Sequence, residues 1–286
     1  MTQIRPFLRP GALISDVGST KEDIHRVVTS LGMEDVFVGG HPMAGSEKTG
    51  YENATDHLLE NAYYIVTPTA LSSETDADRI VAVAKLIGSI PIVLDYHEHD
   101  RIVAAISHLP HIIASSLVNL VKDCDYEDGT MKKVAAGGFK DITRIASSSP
   151  VMWEQICENN SSNIKTLLTS MIHDLQEVID QLDKENGAYV NEYFKEAGDY
   201  RNSVPDHSIG LFDKVHKLYV HIPDQPGTIA TVTSLLAFNN ISLKNIGIIY
   251  NREFEEGVLE IVLYDEESCQ KGAQVLEERN YIVHIR

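Results

Sequence analysis

Nowhere in its 286 residues does the chain carry Gly-x-Gly-x-x-Gly. A dinucleotide's pyrophosphate therefore lacks its usual cradle, a glycine-rich turn that opens a helix. Cysteine is scarce: Cys124, Cys157 and Cys269 are odd in number and far apart. They make neither a disulfide framework nor a metal-ligand spacing, which fits a reducing cytoplasm. No apolar run reaches about 18 residues, so no membrane span is expected. The N-terminus shows no signal-peptide apolar stretch. Basic residues are few, 24 Lys and Arg against 42 Asp and Glu, giving a formal net charge of −18. That sign disfavours nucleic acid and anionic membranes as partners. An anionic small molecule would need local cations working against the overall field.

What is present is ordinary for a globular protein: 43% hydrophobic and 23% charged residues. The length allows two or three domains. Gly11–Val17 reads as a short strand, followed by a helix to about Leu31 with Ser19 or Thr20 as its N-cap. Val36-Phe37-Val38 reads as a second strand, ended by Gly39-Gly40-His41-Pro42, with His41 at its carboxyl end. Further strands are expected at 62–68 and 91–94, with a helix at 75–87 between them. Strands alternating with helices make an α/β region over 1–96. From 97 to 204 the pattern is helical, with breaks near 123–129, 136–140 and 147–150. Leu167, Met171, Leu175, Val178 and Leu182 recur at helical steps. Such apolar faces point to a homodimer built on helices between about 99 and 195. A linker at 205–213 leads to a βαββαβ, ferredoxin-like module over 214–286.

Four clusters could carry chemistry. Asp16-Val17-Gly18-Ser19-Thr20-Lys21 is by itself a strand, a turn and a cap. His41, in the loop His41-Pro42-Met43-Ala44-Gly45-Ser46-Glu47, is a candidate proton acceptor near neutral pH. Ser107-His108-Leu109-Pro110-His111 puts two histidines on one helix face, with no third ligand nearby, so no metal is expected. Asp141-Ile142-Thr143-Arg144-Ile145-Ala146 places Arg144 between two isoleucines, partly tucked in, where it could hold a carboxylate.

Taken together, these four motifs, in this order and with Trp153 beyond them, resemble the prephenate dehydrogenase family. Residues 217–286, with Asp224-x-Pro226-Gly227 after the first strand, resemble an ACT regulatory domain. The resemblance implies a truncated Rossmann-like sheet, an all-α dimerisation domain and an ACT domain. In the family, about three βα units, roughly 90 residues, precede the stretch that opens this chain. The implied reaction is oxidative decarboxylation of prephenate with hydride passing to NAD, or to NADP. His41 would accept the hydroxyl proton and Ser19 would bond the same hydroxyl. Arg144, Ser107, His108, His111 and Trp153 would hold the substrate. Asp16, Ser19, Pro42 and Met43 would meet the cofactor. Asp224, Pro226, Gly227 and Asn245 would bind an amino-acid effector, tyrosine above all. Arogenate as substrate, or a non-catalytic amino-acid-sensing dimer, are the alternatives.

Overall fold

The computed structural model describes residues 3–45, 50–55, 57–204, 216–223, 225–249 and 257–285. The chain divides into two units, Met1–Ser203 and Val204–Arg286.

The first unit opens with helix α1 (Glu22–Ser30), whose Glu22 and Asp23 suit the positive end of the helix dipole. Neither Ser19 nor Thr20 caps it. The N-cap is Lys21, with no side-chain cap bond. The carboxylate of Asp100, 79 residues away, accepts from the backbone N–H of Lys21 at 2.8 Å and of Glu22 at 2.9 Å. A distant side chain thus does what a local cap does elsewhere. The expected strand at 11–17 is reduced to one parallel bridge, Ile14 with Phe37. Beyond it Asp16 turns inward to accept from the backbone N–H of Gly18 and Gly40, which pulls the chain out of extended pairing.

Strand β1 (Val38–Pro42) does not stop at its glycines but runs through them, so His41 sits inside the strand. It pairs antiparallel with β2 (Tyr63–Pro68), His41 opposite Ile65. Helix α2 (Glu74–Leu86), capped by the reciprocal Ser73–Asp76 box, leads to β3 (Ile90–Val93), which pairs parallel with β2. The sheet order is β1-β2-β3, so β1 is an edge strand and tolerates Pro42. Val38, Tyr64, Val66 and Ala84 make its core. The glycines answer a steric need. A Cβ on Gly39 would lie 2.2 Å from Thr67 Oγ1 and 2.9 Å from His25 Nε2. On Gly40 it would lie 2.6 Å from both the Asp16 carbonyl oxygen and the Tyr64 hydroxyl.

Helices then follow without strands through the rest of the described first unit: α3 (Tyr96–Val103), a π-helical turn (Ala104–His108), α4 (Leu109–Cys124), α5 (Thr130–Val134) and α6 (Gly137–Thr143). A 3-10 turn (Arg144–Ser147), α7 (Pro150–Asn159), α8 (Ser161–Asp183) and α9 (Gly187–Ser203) complete it. Gly137 already opens α6, so the expected break near 136–140 is confined to Ala135-Ala136. Tyr96–Cys124 is one continuous helical run, long and apolar enough to cross a bilayer by length and composition. Its inner face nevertheless carries buried His99, Asp100 and His108, all bonded within the unit. On α8 the expected stripe splits. Leu167, Met171 and Val178 are half-buried, while Ile172, Leu175, Ile179 and Leu182 form an exposed apolar face.

The second unit holds β4 (His216–Ile222), α10 (Thr228–Phe238), β5 (Leu243–Ile249), β6 (Gly257–Leu263), α11 (Glu266–Glu277) and β7 (Val283–Ile285). The sheet order is β5-β6-β4-β7 with every pair antiparallel, the ferredoxin-like arrangement. Both helices cover one face through Leu236, Leu276, Leu218, Val220, Leu259 and Ile261. The expected linker 205–213 and Asp224 lie outside the described residues, and helix α9 extends to Ser203, within the expected helical region.

Substituting Gly39→Ala is expected to destabilise the first unit by about 1–3 kcal/mol, the usual penalty of overpacking. Gly198→Ala, in the interior of α9 with open space around it, is expected to be neutral or stabilising. Urea unfolding of the two variants checks both; equal stabilities would contradict the steric account of β1.

Candidate active site

The site is assembled from three segments of the first unit. The first is the turn after Ile14, fixed by Asp16. Its carboxylate accepts from Gly18 N at 2.8 Å and Gly40 N at 3.0 Å and pairs with the fully buried Lys21 ammonium. All of these partners are internal, so Asp16 anchors the turn beside β1, and it is not among the residues that line the cavity described below. The turn carries Ser19 forward.

The second segment is the end of β1. Antiparallel pairing with β2 fixes the direction of the His41 ring, and its Nδ1 lies 2.7 Å from His99 Nε2 on α3. His99 Nδ1 lies 2.7 Å from Asp100 Oδ1. Burial pushes His41 from the ordinary histidine value down to about 3, with His99 and Lys21 adding to the effect. Burial by itself would raise Asp100, but hydrogen bonds from His99, Glu22 N and Lys21 N outweigh it and hold the carboxyl below its ordinary value.

The third segment is the π-helical turn and the start of α4. A π turn inserts one residue into a helix and is frequent at functional sites. Here it presents Ser107 and His108. Asn160 Nδ2 lies 3.1 Å from His108 Nδ1, and the same amide donates to the Asp100 carbonyl at 2.7 Å. Asn160 Oδ1 accepts from Asn163, which fixes the amide's orientation. His108 Nδ1 is therefore an acceptor, and the neutral ring carries its proton on Nε2. Burial holds His108 neutral, down to about 4. His111 Nδ1 donates to the Ser107 carbonyl at 2.9 Å, leaving Nε2 as an acceptor. Trp153 packs against His111 in a tilted arrangement, with ring centroids 4.0 Å apart and the planes at 31°. Its buried Nε1–H is without a hydrogen-bond partner.

These segments, together with the 144–148 turn and α7, line a cavity of about 340 Å³ formed by Ser19, His41, Pro42, Met43, Ala44, Gly45, Ser107, His108, His111 and Trp153, with Ile145, Ser148, Met152 and Ile156. A second hollow of about 310 Å³ adjoins it along His111, Ile145, Ser148 and Trp153. Of the expected site residues, Ser19, His41, Pro42, Met43, Ser107, His108, His111 and Trp153 are thus brought together. Arg144 is not tucked in. It is exposed, as is its neighbour Ile142, because the 3-10 turn directs Ile145 inward instead. Sequence reading missed His99, Asp100 and Asn160. The available signal was helical phase: His99 and Asp100 share a face with the apolar Val103 and Ala104, so two titratable groups stand on the buried side of a helix.

Residues 1–93 match the family described as the nucleotide-binding domain of prephenate dehydrogenase, and residues 95–196 match its dimerization domain. The chain belongs to the prephenate dehydrogenase family. It is 38% identical to the prephenate dehydrogenase of Bacillus subtilis over 93% of this chain and 72% of that protein. With the Lactococcus lactis enzyme it is 33% identical over 97% of this chain and 77% of the other. Among solved structures it resembles prephenate dehydrogenase from A. aeolicus in complex with hydroxyphenyl propionate and NAD+. The TM-score is 0.66, with 30% identity over 71% of each chain. Synechocystis arogenate dehydrogenase aligns with TM-score 0.63 and 26% identity over 71% of this chain and 73% of the other.

The buried histidines of this family member carry a pH signature. His25, His41 and His108 have folded values of about 4, 3 and 4 against an ordinary 6.5. As pH falls through 6.5 the unfolded chain takes up protons that the folded chain refuses. The stability these groups contribute is therefore present above about pH 6.5 and lost below it, by up to ~1.4 kcal/mol per pH unit for each histidine. Thermal melting is expected to fall steadily from pH 7 to pH 5; a flat profile would contradict the buried neutral assignments.

Proposed function

We propose that this chain acts on prephenate, removing hydride and carbon dioxide to give 4-hydroxyphenylpyruvate with NAD as hydride acceptor. The observation that carries the reading is the cavity itself, in which His41, Ser19, His108 and Trp153 face one space sized for a single substituted ring. The nicotinamide end of a dinucleotide suits the residues at the cavity's β1 side. Ser19, Pro42, Met43 and Gly45 line it, and Gly45 has open space where a side chain would stand, so a flat ring can approach the backbone. The bound cofactor would supply the two-electron acceptor.

The rest of the chemistry falls to side chains of this chain. The ring carbon that gives up hydride also bears a hydroxyl. His41, neutral at working pH, takes the hydroxyl proton as that carbon becomes a carbonyl carbon. Ser19 holds the same hydroxyl. The electron pair of the carbon–carboxylate bond then enters the ring as carbon dioxide leaves, the ring becomes aromatic, and the oxygen recovers a proton from His41. No proton is consumed or released overall. A histidine whose cation is disfavoured by burial suits the return step. His108 Nε2–H and Trp153 Nε1–H are donors for the substrate's anionic and keto oxygens. Arg144, on the turn whose Ile145 lines the cavity, is the proposed partner for a carboxylate at the mouth.

The exposed α8 face and the family's dimerization domain support a homodimer. Free cysteines support a cytoplasmic location. The second unit is proposed as an ACT-type sensor of an amino acid, tyrosine first. Gly227 adopts φ +89° and opens α10 with no side-chain cap, leaving backbone N–H groups for a carboxylate. Asn245 is exposed on β5, its Oδ1 accepting from Ile246 N at 2.8 Å. Asp224 and Pro226 belong to the same proposed loop.

Titrating NAD and NADP against the 286-residue chain, then assaying prephenate and arogenate, tests the reading. His41→Asn is expected to lower kcat by about 10²–10⁴ with little change in KM. Arg144→Ala is expected mainly to raise KM, by about 2 kcal/mol. A fully active His41→Asn would exclude the proposed base. For the sensor, tyrosine is expected to raise the melting temperature in a dose-dependent way that Gly227→Val abolishes. No shift with tyrosine, phenylalanine or tryptophan at millimolar concentration would remove that role.

A further inference from the structure

His41 has two ring nitrogens, and only one faces the task. Nδ1 is engaged with His99, so Nε2 must be the acceptor if His41 is to take a proton. A neutral imidazole carries its one proton on either nitrogen. Something must therefore place it on Nδ1.

We infer that His99 and Asp100 are positioning residues that fix His41 in the tautomer whose Nε2 is free to accept the substrate's proton. The inference rests on the reading of His41 as the base, and it follows from the hydrogen bonds in order. Asp100 is wholly buried and its carboxylate accepts from the first two backbone N–H groups of α1, at 2.8 and 2.9 Å. A carboxylate has no proton to give, so the 2.7 Å contact with His99 requires a proton on His99 Nδ1. With its one proton on Nδ1, the neutral His99 ring presents a lone pair at Nε2. The 2.7 Å contact between His99 Nε2 and His41 Nδ1 then requires the proton on His41 Nδ1. For neutral rings each step leaves one arrangement, and the last leaves the lone pair on Nε2. The reverse arrangement would set a lone pair against the Asp100 carboxylate, or else demand an imidazolium on His99.

The same chain of bonds serves the imidazolium formed during turnover. When His41 Nε2 takes the hydroxyl proton, the positive ring donates through Nδ1–H to His99, and the Asp100 carboxylate lies beyond. Asp100 stays ionised throughout, as the orienting carboxylate of a catalytic triad does. Since the proton returns to the ring oxygen, the network needs no outlet to solvent, and it has none: His99 and Asp100 are both 0% exposed.

Nitrogen-15 NMR of the histidine rings in the whole resting protein reads the tautomer directly, with His41→Asn assigning the signal. The expected wild-type result is a protonated Nδ1 and an unprotonated Nε2 on His41. In His99→Leu, which removes the acceptor, the Nε2–H form should become the major one. The kcat should then fall by about 10²–10³ with KM little changed. His99→Gln, whose amide oxygen can accept from Nδ1, should recover most of the loss. An unprotonated Nδ1 on wild-type His41, a tautomer unmoved in His99→Leu, or an equal kcat loss in Leu and Gln variants would overturn the inference. The tautomer is measured without substrate, so it stands or falls apart from the dehydrogenation reading. The wild-type spectrum decides even if His99→Leu does not fold.

Discussion

One carboxylate ties the first unit together. Asp100 lies on a helix that follows the sheet, yet it satisfies the first two N–H groups of a helix that precedes the sheet. Helix N-termini expose donors that must find acceptors. Here the acceptor belongs to the helical region and the donors to the α/β region. The partial positive charge at the start of α1 and the negative charge of Asp100 attract, and the buried setting strengthens the attraction. Because Asp100 also holds His99, and His99 holds His41, the contact that joins the two regions also sets the position of His41. The relation extends one step further: Asn160, at the junction of α7 and α8, bonds both the Asp100 carbonyl and His108. His41 and His108 are therefore supported from one point.

Asp16 does comparable work on the other side. It closes the turn at Gly18, meets Gly40 in β1 and neutralises Lys21, a lysine with no exposed surface. A buried ammonium is tolerated only when paired. Ser19 is thus carried on a turn whose charges are already balanced, and its hydroxyl can serve the cavity.

Much of this was legible in the sequence. Strand and helix periodicity placed α2, β2, β3, α8 and the whole βαββαβ unit, because each has a clean pattern bounded by a cap or a turn. The motif residues Ser19, His41, Ser107, His108, His111 and Trp153 were named before any geometry. What failed did so for physical reasons. Gly39-Gly40 looked like a strand end, since glycine lacks β propensity; only the closeness of Thr67, Tyr64 and Asp16 shows why the strand needs it. Ser19 and Thr20 looked like caps because capping is normally local, and a cap supplied 79 positions away leaves no local trace. Arg144 looked sheltered because its neighbours are isoleucines, but a 3-10 turn has a different phase from the α-helix assumed.

The π-helical turn at Ala104–His108 has a bearing on how the sequence can vary. Relative to an α-helix it contains one additional residue, and each residue turns a helix by about 100°. Loss of one residue between Val103 and Leu109 would let the segment relax into regular α-helix. Everything from Leu109 onward would then rotate by that angle relative to His99 and Asp100. His111 and Ala114 would leave the inner face together, even though no side chain in α4 had changed. The spacing between His99 and His108 is thus a fixed length in this protein, less free to change than the identity of exposed residues within it such as Ala105 and Ile106.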